Sequence, residues 1–241
     1  MYFKKQLPNI VTSLNLLSGI IAVFYAVFGK LEVAAFFVVL GIVFDFFDGF
    51  LARILNVQGA LGKQLDSLAD LITSGLVPGI FMFHLLLRAT TNTPIEKVFT
   101  CNTFELLPFI GLLIPLASAY RLANFNIDTR QMTSFIGLPT PANALLIISL
   151  PLIIRYSSIE FFVKIFQNSL VLTIIILLST YLLNAPIALF ALKFTNYSWK
   201  ENRIRYLFLG FSLLMIVGLQ FASVPLIIVS YLVFSFWNNR L

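Results

Sequence analysis

Cysteine and histidine each occur once in the 241 residues, as Cys101 and His84, and only 11% of positions carry charge. A single cysteine excludes an intrachain disulfide and a cysteine cage for metal, and no histidine or cysteine is positioned to form a zinc site. The scarcity of charge, together with 59% hydrophobic residues and a mean hydropathy of +0.96, excludes an ordinary soluble domain. The net charge is +6, yet no basic domain exists to bind nucleic acid.

What the chain has instead is long apolar runs. A spanning helix takes about 20 residues to cross ~30 Å of hydrocarbon. Runs at 9–28, 33–55, 65–87, 106–122, 142–154, 170–192, 204–220 and 224–237 predict an all-α polytopic membrane bundle of about eight transmembrane helices, a single membrane domain over residues 1–241. The last two runs are separated only by Phe221, Ala222 and Ser223 before Pro225, which reads as a tight hairpin. Lysine and arginine near helix ends are retained on the cytoplasmic side. Counted from an inside N-terminus, Lys4, Lys5, Arg53, Lys63, Arg121, Arg130, Lys193, Lys200, Arg203, Arg205 and Arg240 fall inside, against Lys30, Arg88, Lys97, Arg155 and Lys164 outside. Both termini are therefore expected in the cytoplasm. The Lys4-Lys5 pair precedes a full-length run with no small-residue cleavage site, so the first run reads as an uncleaved span.

Four aspartates interrupt this apolar sequence, at Asp45, Asp48, Asp66 and Asp70. An ionised carboxylate in hydrocarbon costs at least about 2.5 kcal/mol, so four in one stretch require something cationic between them. At about 100° per residue, Asp45, Asp48, Gly49, Ala52 and Arg53 share one helical sector, while Phe46, Phe47, Phe50 and Leu51 point elsewhere. On the next helix Gly62, Asp66 and Asp70 repeat at i, i+4 and i+8. Two carboxylate pairs on neighbouring helices can thus converge. Hard oxygen ligands suit magnesium, manganese or calcium, and four carboxylates suffice for two ions, the clamp used for displacement at phosphorus. Gly49 and Ala52 leave room for a ligand to approach the backbone, and Arg53 supplies fixed charge for a phosphate. A cation or proton transporter also explains intramembrane carboxylates, but not the fixed spacing of Gly49, Ala52 and Arg53, nor clustering at one face instead of the midplane. For a non-catalytic scaffold the aspartates would be a needless cost.

Written out, the segment is Asp45-x2-Asp48-Gly49-x2-Ala52-Arg53-x8-Gly62-x3-Asp66-x3-Asp70. It resembles the signature of the CDP-alcohol phosphotransferase family at every fixed position. Residues 45–53 (DFFDGFLAR), 62–70 (GKQLDSLAD), 72–79 (ITSGLVPG), 118–126 (SAYRLANFN) and 135–144 (FIGLPTPANA), with Pro8-Asn9-Ile10-Val11-Thr12 and Leu14-Asn15-Leu16, resemble the integral-membrane phosphatidylserine synthases. That resemblance covers roughly the first 145 residues.

The resemblance implies a membrane enzyme that transfers a phosphatidyl group from CDP-diacylglycerol to L-serine and releases CMP. It implies Mg2+ or Mn2+, two ions, on Asp45, Asp48, Asp66 and Asp70, with Asp70 as general base. Asn9, Thr12, Asp48, Gly49, Ala52, Arg53, Gly62 and Asp66 would contact the CDP moiety. A homodimer in the bacterial inner (cytoplasmic) membrane, its site facing the cytoplasm, belongs to the same expectation. Serine brings a carboxylate, for which Arg121 beside Asn124 and Asn126 is the candidate partner, because arginine matches carboxylate bidentately where Lys63 cannot; an interface-anchoring arginine is the plainer alternative. Glycerol 3-phosphate or an inositol phosphate is the alternative acceptor.

Other features read more plainly. His84 is expected to mark the outer interface. Gly75 and Gly79 beside Pro78 either pack helices closely or allow a kink. Asn196-Tyr197-Ser198 fits a glycosylation triplet that the topology places inside, and the 26 phenylalanines are lipid-facing and interhelical bulk.

Overall fold

A computed structural model of the chain describes residues 2–91, 106–127, 135–189 and 198–238. Cys101, Lys97, Arg130, Lys193, Arg240 and the Asn196-Tyr197 pair lie outside the described residues.

The helices are α1 (Tyr2–Val27), α2 (Leu31–Ile54), α3 (Ala60–Thr90), α4 (Leu107–Ile127), α5 (Thr140–Tyr156), α6 (Glu160–Phe166), α7 (Ser169–Asn184), α8 (Trp199–Leu219) and α9 (Ser223–Asn238). Two short strands, β1 (Phe135–Ile136) and β2 (Ala188–Leu189), pair antiparallel. The chain is an integral membrane protein of the all-α polytopic class. Among the described residues, Gln6–Val27, Leu31–Ile54, Ala60–Thr90, Leu107–Ile127 and the stretch Asn202–Phe236 are long and apolar enough to span, and α6 with α7, bent by 73°, makes a sixth. Two regions account for the gap between this count of long spans and the predicted eight. Helix α5 is 17 residues long, and the last two runs form one nearly continuous helical stretch that doubles back. Gln220, with φ 47°, makes the reversal, and Phe208 returns against Tyr231 at 5.7 Å and Phe234 at 6.1 Å between ring centroids. The expected hairpin is therefore present.

The chain reversals that pair the first three helices follow from residues tolerant of left-handed backbone. Helix α1 ends at Gly29, φ 70°, where the amides of Gly29 and Lys30 donate to the carbonyls of Ala26 and Tyr25 at 2.9 Å each. Helix α2 ends the same way at Asn56, φ 52°, with Val57 N donating to Ala52 O at 3.0 Å. These two reversals set α1, α2 and α3 side by side and return the second pair of aspartates to the first.

Helix α3 widens into a π-turn over Leu71–Leu76, directly after Asp70. Pro78 lacks the N–H that would bond Ser74 O, and its ring crowds that carbonyl, so the helix loosens upstream of it. Gly75 and Gly79 meanwhile face α4: a Cβ on Gly79 would meet Pro115 Cδ at 2.6 Å and one on Gly75 would meet Ser118 Cβ at 3.1 Å. Both readings of this segment, close packing and a local distortion, thus hold. Helix α7 stops at Asn184, short of the predicted Leu192, because Ala185 precedes Pro186 and takes extended backbone, ψ 140°. The released segment forms β2, and residues 190–192 lie outside the described residues.

The core runs along α3, which is buried through most of its second half and packed by Ala22, Ala26, Ala34, Ala35 and Val38 from the α1–α2 hairpin and by Ile147, Leu150 and Ile153 from α5. His84, expected near the outer interface, is 3% exposed with Nε2 unpartnered and packs inside the bundle at that end of α3. It sits beneath the α1–α2 turn, where the small Gly29 admits it: a Cβ there would lie 3.5 Å from the ring.

Candidate active site

Asp45 and Asp48 lie in the second half of α2, and Asp66 and Asp70 in the first third of α3. Oxygens of Asp45, Asp48 and Asp66 all lie within 4.8 Å of one another. The flanking Phe46, Phe47 and Phe50 are 64%, 48% and 45% exposed, so the apolar face of α2 looks outward while its carboxylates look inward. Asp48 Oδ2 and Asp66 Oδ1 are buried and have no hydrogen-bond partner. An unpartnered buried carboxylate oxygen is costly, and three convergent carboxylates compound the cost by repulsion; a divalent cation with oxygen preference removes both penalties. This donor set fits a metal.

Asp70 is not one of these three, but it lies close enough to interact electrostatically with Asp45, Asp48 and Asp66. It is 7% exposed, and Asn15 Nδ2 donates to its Oδ1 at 3.2 Å. Asn15 is itself held by Thr73, whose hydroxyl donates to Asn15 Oδ1 at 2.8 Å and Asn15 O at 3.3 Å. Room for this pair comes from Gly41 on α2, where a Cβ would lie 2.6 Å from Thr73 Cγ2 and 2.8 Å from Asn15 Oδ1. The π-turn lets Thr73 face α1 one turn from Asp70. Of the four predicted metal ligands, three are brought together, and the fourth is positioned by an α1 amide.

Helix α1 supplies the other polar wall. Thr12 lies beside Asp48, and Asn9 lies over Gly62, whose notional Cβ would be 3.3 Å from Asn9 Oδ1. Gly49 and Ala52 are half-buried, and Arg53 is exposed and folded back, Nε donating to Gly49 O at 2.9 Å. A Cβ on Gly49 would meet nothing closer than Arg53 at 3.7 Å, so the space over Gly49 is open.

On the opposite side, Lys63 Nζ donates to Asn126 O at 2.8 Å and Phe125 O at 3.3 Å at the end of α4, a favourable place for a cation. Asn126 also donates to Ser67 Oγ at 2.9 Å. These contacts and the Gly75–Ser118 approach fix α4 antiparallel to α3, with Arg121 level with Ile72, about 3 Å of helix rise from Asp70. Arg121 is 7% exposed, and its Nη1 donates to Ile136 O at 2.8 Å and Leu183 O at 3.1 Å. It is therefore not an interface anchor. Sequence reasoning missed other buried polar groups: Ser118, one turn before Arg121 on α4, and Ser74, both with unpartnered hydroxyls, and Asn143, fully buried with neither amide atom bonded. Ser74 lies in the π-turn against which α4 and α5 pack. Asn15 carried a signal, since Asn9, Thr12 and Asn15 recur every three residues; nothing local distinguished Asn143.

A family model described as CDP-alcohol phosphatidyltransferase matches residues 5–192. Among curated proteins, a CDP-diacylglycerol–serine O-phosphatidyltransferase of Bacillus subtilis is 32% identical over 139 residues, covering 56% of this chain and 69% of that one. Its counterpart in Helicobacter pylori is 31% identical over 143 residues, 58% of this chain and 55% of that one. An archaetidylserine synthase of Methanothermobacter thermautotrophicus is 31% identical over 157 residues, 64% and 61% respectively. The matched stretch thus spans between 55% and 69% of the length of these relatives.

Proposed function

Because the chain belongs to the CDP-alcohol phosphatidyltransferase family, we propose that it makes phosphatidylserine from CDP-diacylglycerol and L-serine, releasing CMP, with divalent metal. The observation that carries this reading is the convergence of Asp45, Asp48 and Asp66 from two helices, two of their oxygens buried and unpartnered. The activities for which these relatives are named, serine phosphatidyl transfer and archaetidylserine synthesis, support serine as acceptor.

Asp45, Asp48 and Asp66 would hold Mg2+ or Mn2+, two ions when Asp70 also contributes. Bound there, the metal would neutralise the diphosphate and the charge that develops on departing CMP. Asn9, Thr12, Gly49, Ala52, Arg53 and Gly62 form the wall along which CDP would lie: the open space over Gly49 admits the nucleotide, and exposed Arg53 can swing from its backbone carbonyl to a phosphate. The serine hydroxyl oxygen attacks the diacylglycerol-linked phosphorus. As that O–P bond forms, the bond from phosphorus to the CMP oxygen breaks, CMP leaves with the electron pair, and the hydroxyl proton passes to Asp70. Asn15 keeps the Asp70 carboxylate aimed, which is a positioning role.

Serine needs a cation for its carboxylate and further polar partners. Arg121 is assigned that role, since Lys63 is committed to the end of α4. Ser74 in the π-turn, Ser118 one turn before Arg121 on α4, and Asn143 are buried polar groups without partners that are available to it. Arg121 also ties Ile136 and Leu183 together, so Arg121→Ala should lower thermal stability, and raise the serine KM by about tenfold or more while the KM for CDP-diacylglycerol changes little. Equal rises for both substrates would remove Arg121 from the acceptor site.

The cytoplasmic face of a bacterial inner membrane, a single membrane domain and a homodimer complete the proposal. The test is direct. Purified protein with CDP-diacylglycerol and magnesium or manganese is given serine, glycerol 3-phosphate or inositol phosphate, and the lipid product is identified. A product with another acceptor, or none with any, overturns the assignment.

A further inference from the structure

At the far end of α3 from the aspartates lies a cavity of about 760 Å³. Arg88 is 18 residues beyond Asp70 on α3, and Lys30 precedes Asp48 by the same number, so the cavity lies about 27 Å from the carboxylates, close to one hydrocarbon thickness. It opens at the opposite membrane interface.

Its lining has two parts. The floor is apolar, from Leu31, Leu85, Pro151 and Phe166, all buried. The rim carries Lys30, Arg88 and Arg155, all exposed, against one carboxylate, Glu32. Glu32 is already committed, to Arg155 at 2.5 Å and to the Tyr156 hydroxyl at 3.0 Å. Among the described residues Arg88 contacts Gly29 O at 3.5 Å, and neither Arg88 nor Lys30 has an ion pair. These cations come from three separate helix ends, 58 and 67 residues apart in sequence, and the fold gathers them around one opening. A cationic rim over an apolar floor at a membrane interface suits an amphiphile with an anionic head.

We propose that this cavity binds the phosphate of an anionic phospholipid at Lys30 and Arg88, its chains over Leu31, Leu85 and Phe166. The site is separate from the aspartates and does not depend on the reaction assigned to them.

The test counts bound lipid by native mass spectrometry on purified protein in neutral detergent, given dioleoylphosphatidylglycerol, dioleoylphosphatidylcholine or inorganic phosphate. Phosphatidylglycerol adducts should exceed phosphatidylcholine adducts in the wild type and equally in Asp48→Asn/Asp66→Asn, which excludes the aspartate site as their source. Each cation removed should weaken retention about fivefold, in Lys30→Gln and further in Lys30→Gln/Arg88→Gln. Lys30 is exposed, so the single variant decides the matter if the double variant fails to fold. Equal adducts of the two lipids, full retention in Lys30→Gln, or displacement of phosphatidylglycerol by millimolar inorganic phosphate would each overturn the proposal.

Discussion

The two ends of α3 carry opposite charge imbalances, and they differ most in burial. At one end, oxygens of Asp45, Asp48 and Asp66 crowd within 4.8 Å, and two of them are buried without partners. At the other, Lys30, Arg88 and Arg155 ring a cavity but remain exposed. Burying uncompensated charge costs several kcal/mol per ion, whereas exposed cations at an interface cost little. The aspartate end is therefore built to be filled, and its loss should be close to all-or-none. The cationic end tolerates being empty, and its effects should be graded.

Breaking the aspartate end gives the largest effect. Asp66→Asn removes a carboxylate from the convergent trio, and loss of about 4 kcal/mol of charge stabilisation corresponds to a roughly 1,000-fold fall in CMP release. Chelation of divalent ions should reproduce that loss in the wild type, and readdition should restore it. A variant or a chelated enzyme that turns over at the original rate would show that the trio holds no catalytic metal.

Asp70→Asn tests whether Asp70 acts as the base or as a further metal ligand. A general base contributes about 100- to 10,000-fold, so turnover should fall within that range while CDP binding, measured by calorimetry with metal present, is kept. If CDP binding falls as far as it does in Asp66→Asn, Asp70 belongs with the metal ligands and the base lies elsewhere.

Two glycines on α2 sharpen the contrast between protein packing and ligand contact. At Gly41 a methyl would press on Thr73 and Asn15, the residues that hold Asp70, so Gly41→Ala should cost stability by about 1–3 kcal/mol and lower kcat. At Gly49 the nearest atom would be Arg53 at 3.7 Å, so Gly49→Ala should melt like the wild type. Its KM for CDP-diacylglycerol should nevertheless rise severalfold, because only the nucleotide would feel the added methyl. Thermal denaturation beside substrate titration separates the two, and an unchanged KM in Gly49→Ala would move the nucleotide off that face.

The convergence of the aspartates was legible because each pair is local. Asp45 with Asp48 and Asp66 with Asp70 lie one turn apart, and a short connection with Asn56 at its turn leaves the two helices little choice but to meet. Asn15 was harder: the stripe it forms with Asn9 and Thr12 reads equally as a polar helix start, and its partner is 55 residues away. The π-turn had a local cause in Pro78, but the widening depends on α1 and α4 packing around Thr73 and Ser118. Pro186 did signal the end of α7, although hydrophobicity continues past it. The gathering of Lys30, Arg88 and Arg155 had no sequence signature at all, since charge counting by loop places them on one face without saying that they share an opening.

The smallest effect is expected from Lys164, and that near-absence carries weight. Lys164 lies on α6, two residues from Phe166 of the cavity floor, so it shares the interface with Lys30 and Arg88. Its side chain is 77% exposed and pairs with Glu160 at 3.0 Å, one turn back on the same helix. Such a pair contributes about 0.3–0.5 kcal/mol, so Lys164→Gln should shift the melting temperature by at most about 2 °C and leave CMP release unchanged. Phosphatidylglycerol adducts should also stay at the wild-type level. Lys164 has the same charge as Lys30 and differs in standing outside the cavity lining with its charge already matched by Glu160. If Lys164→Gln lost as much lipid as Lys30→Gln, membrane affinity at that end would come from a diffuse belt of positive charge, and the contrast between the two ends of α3 would reduce to one specific site and one nonspecific face.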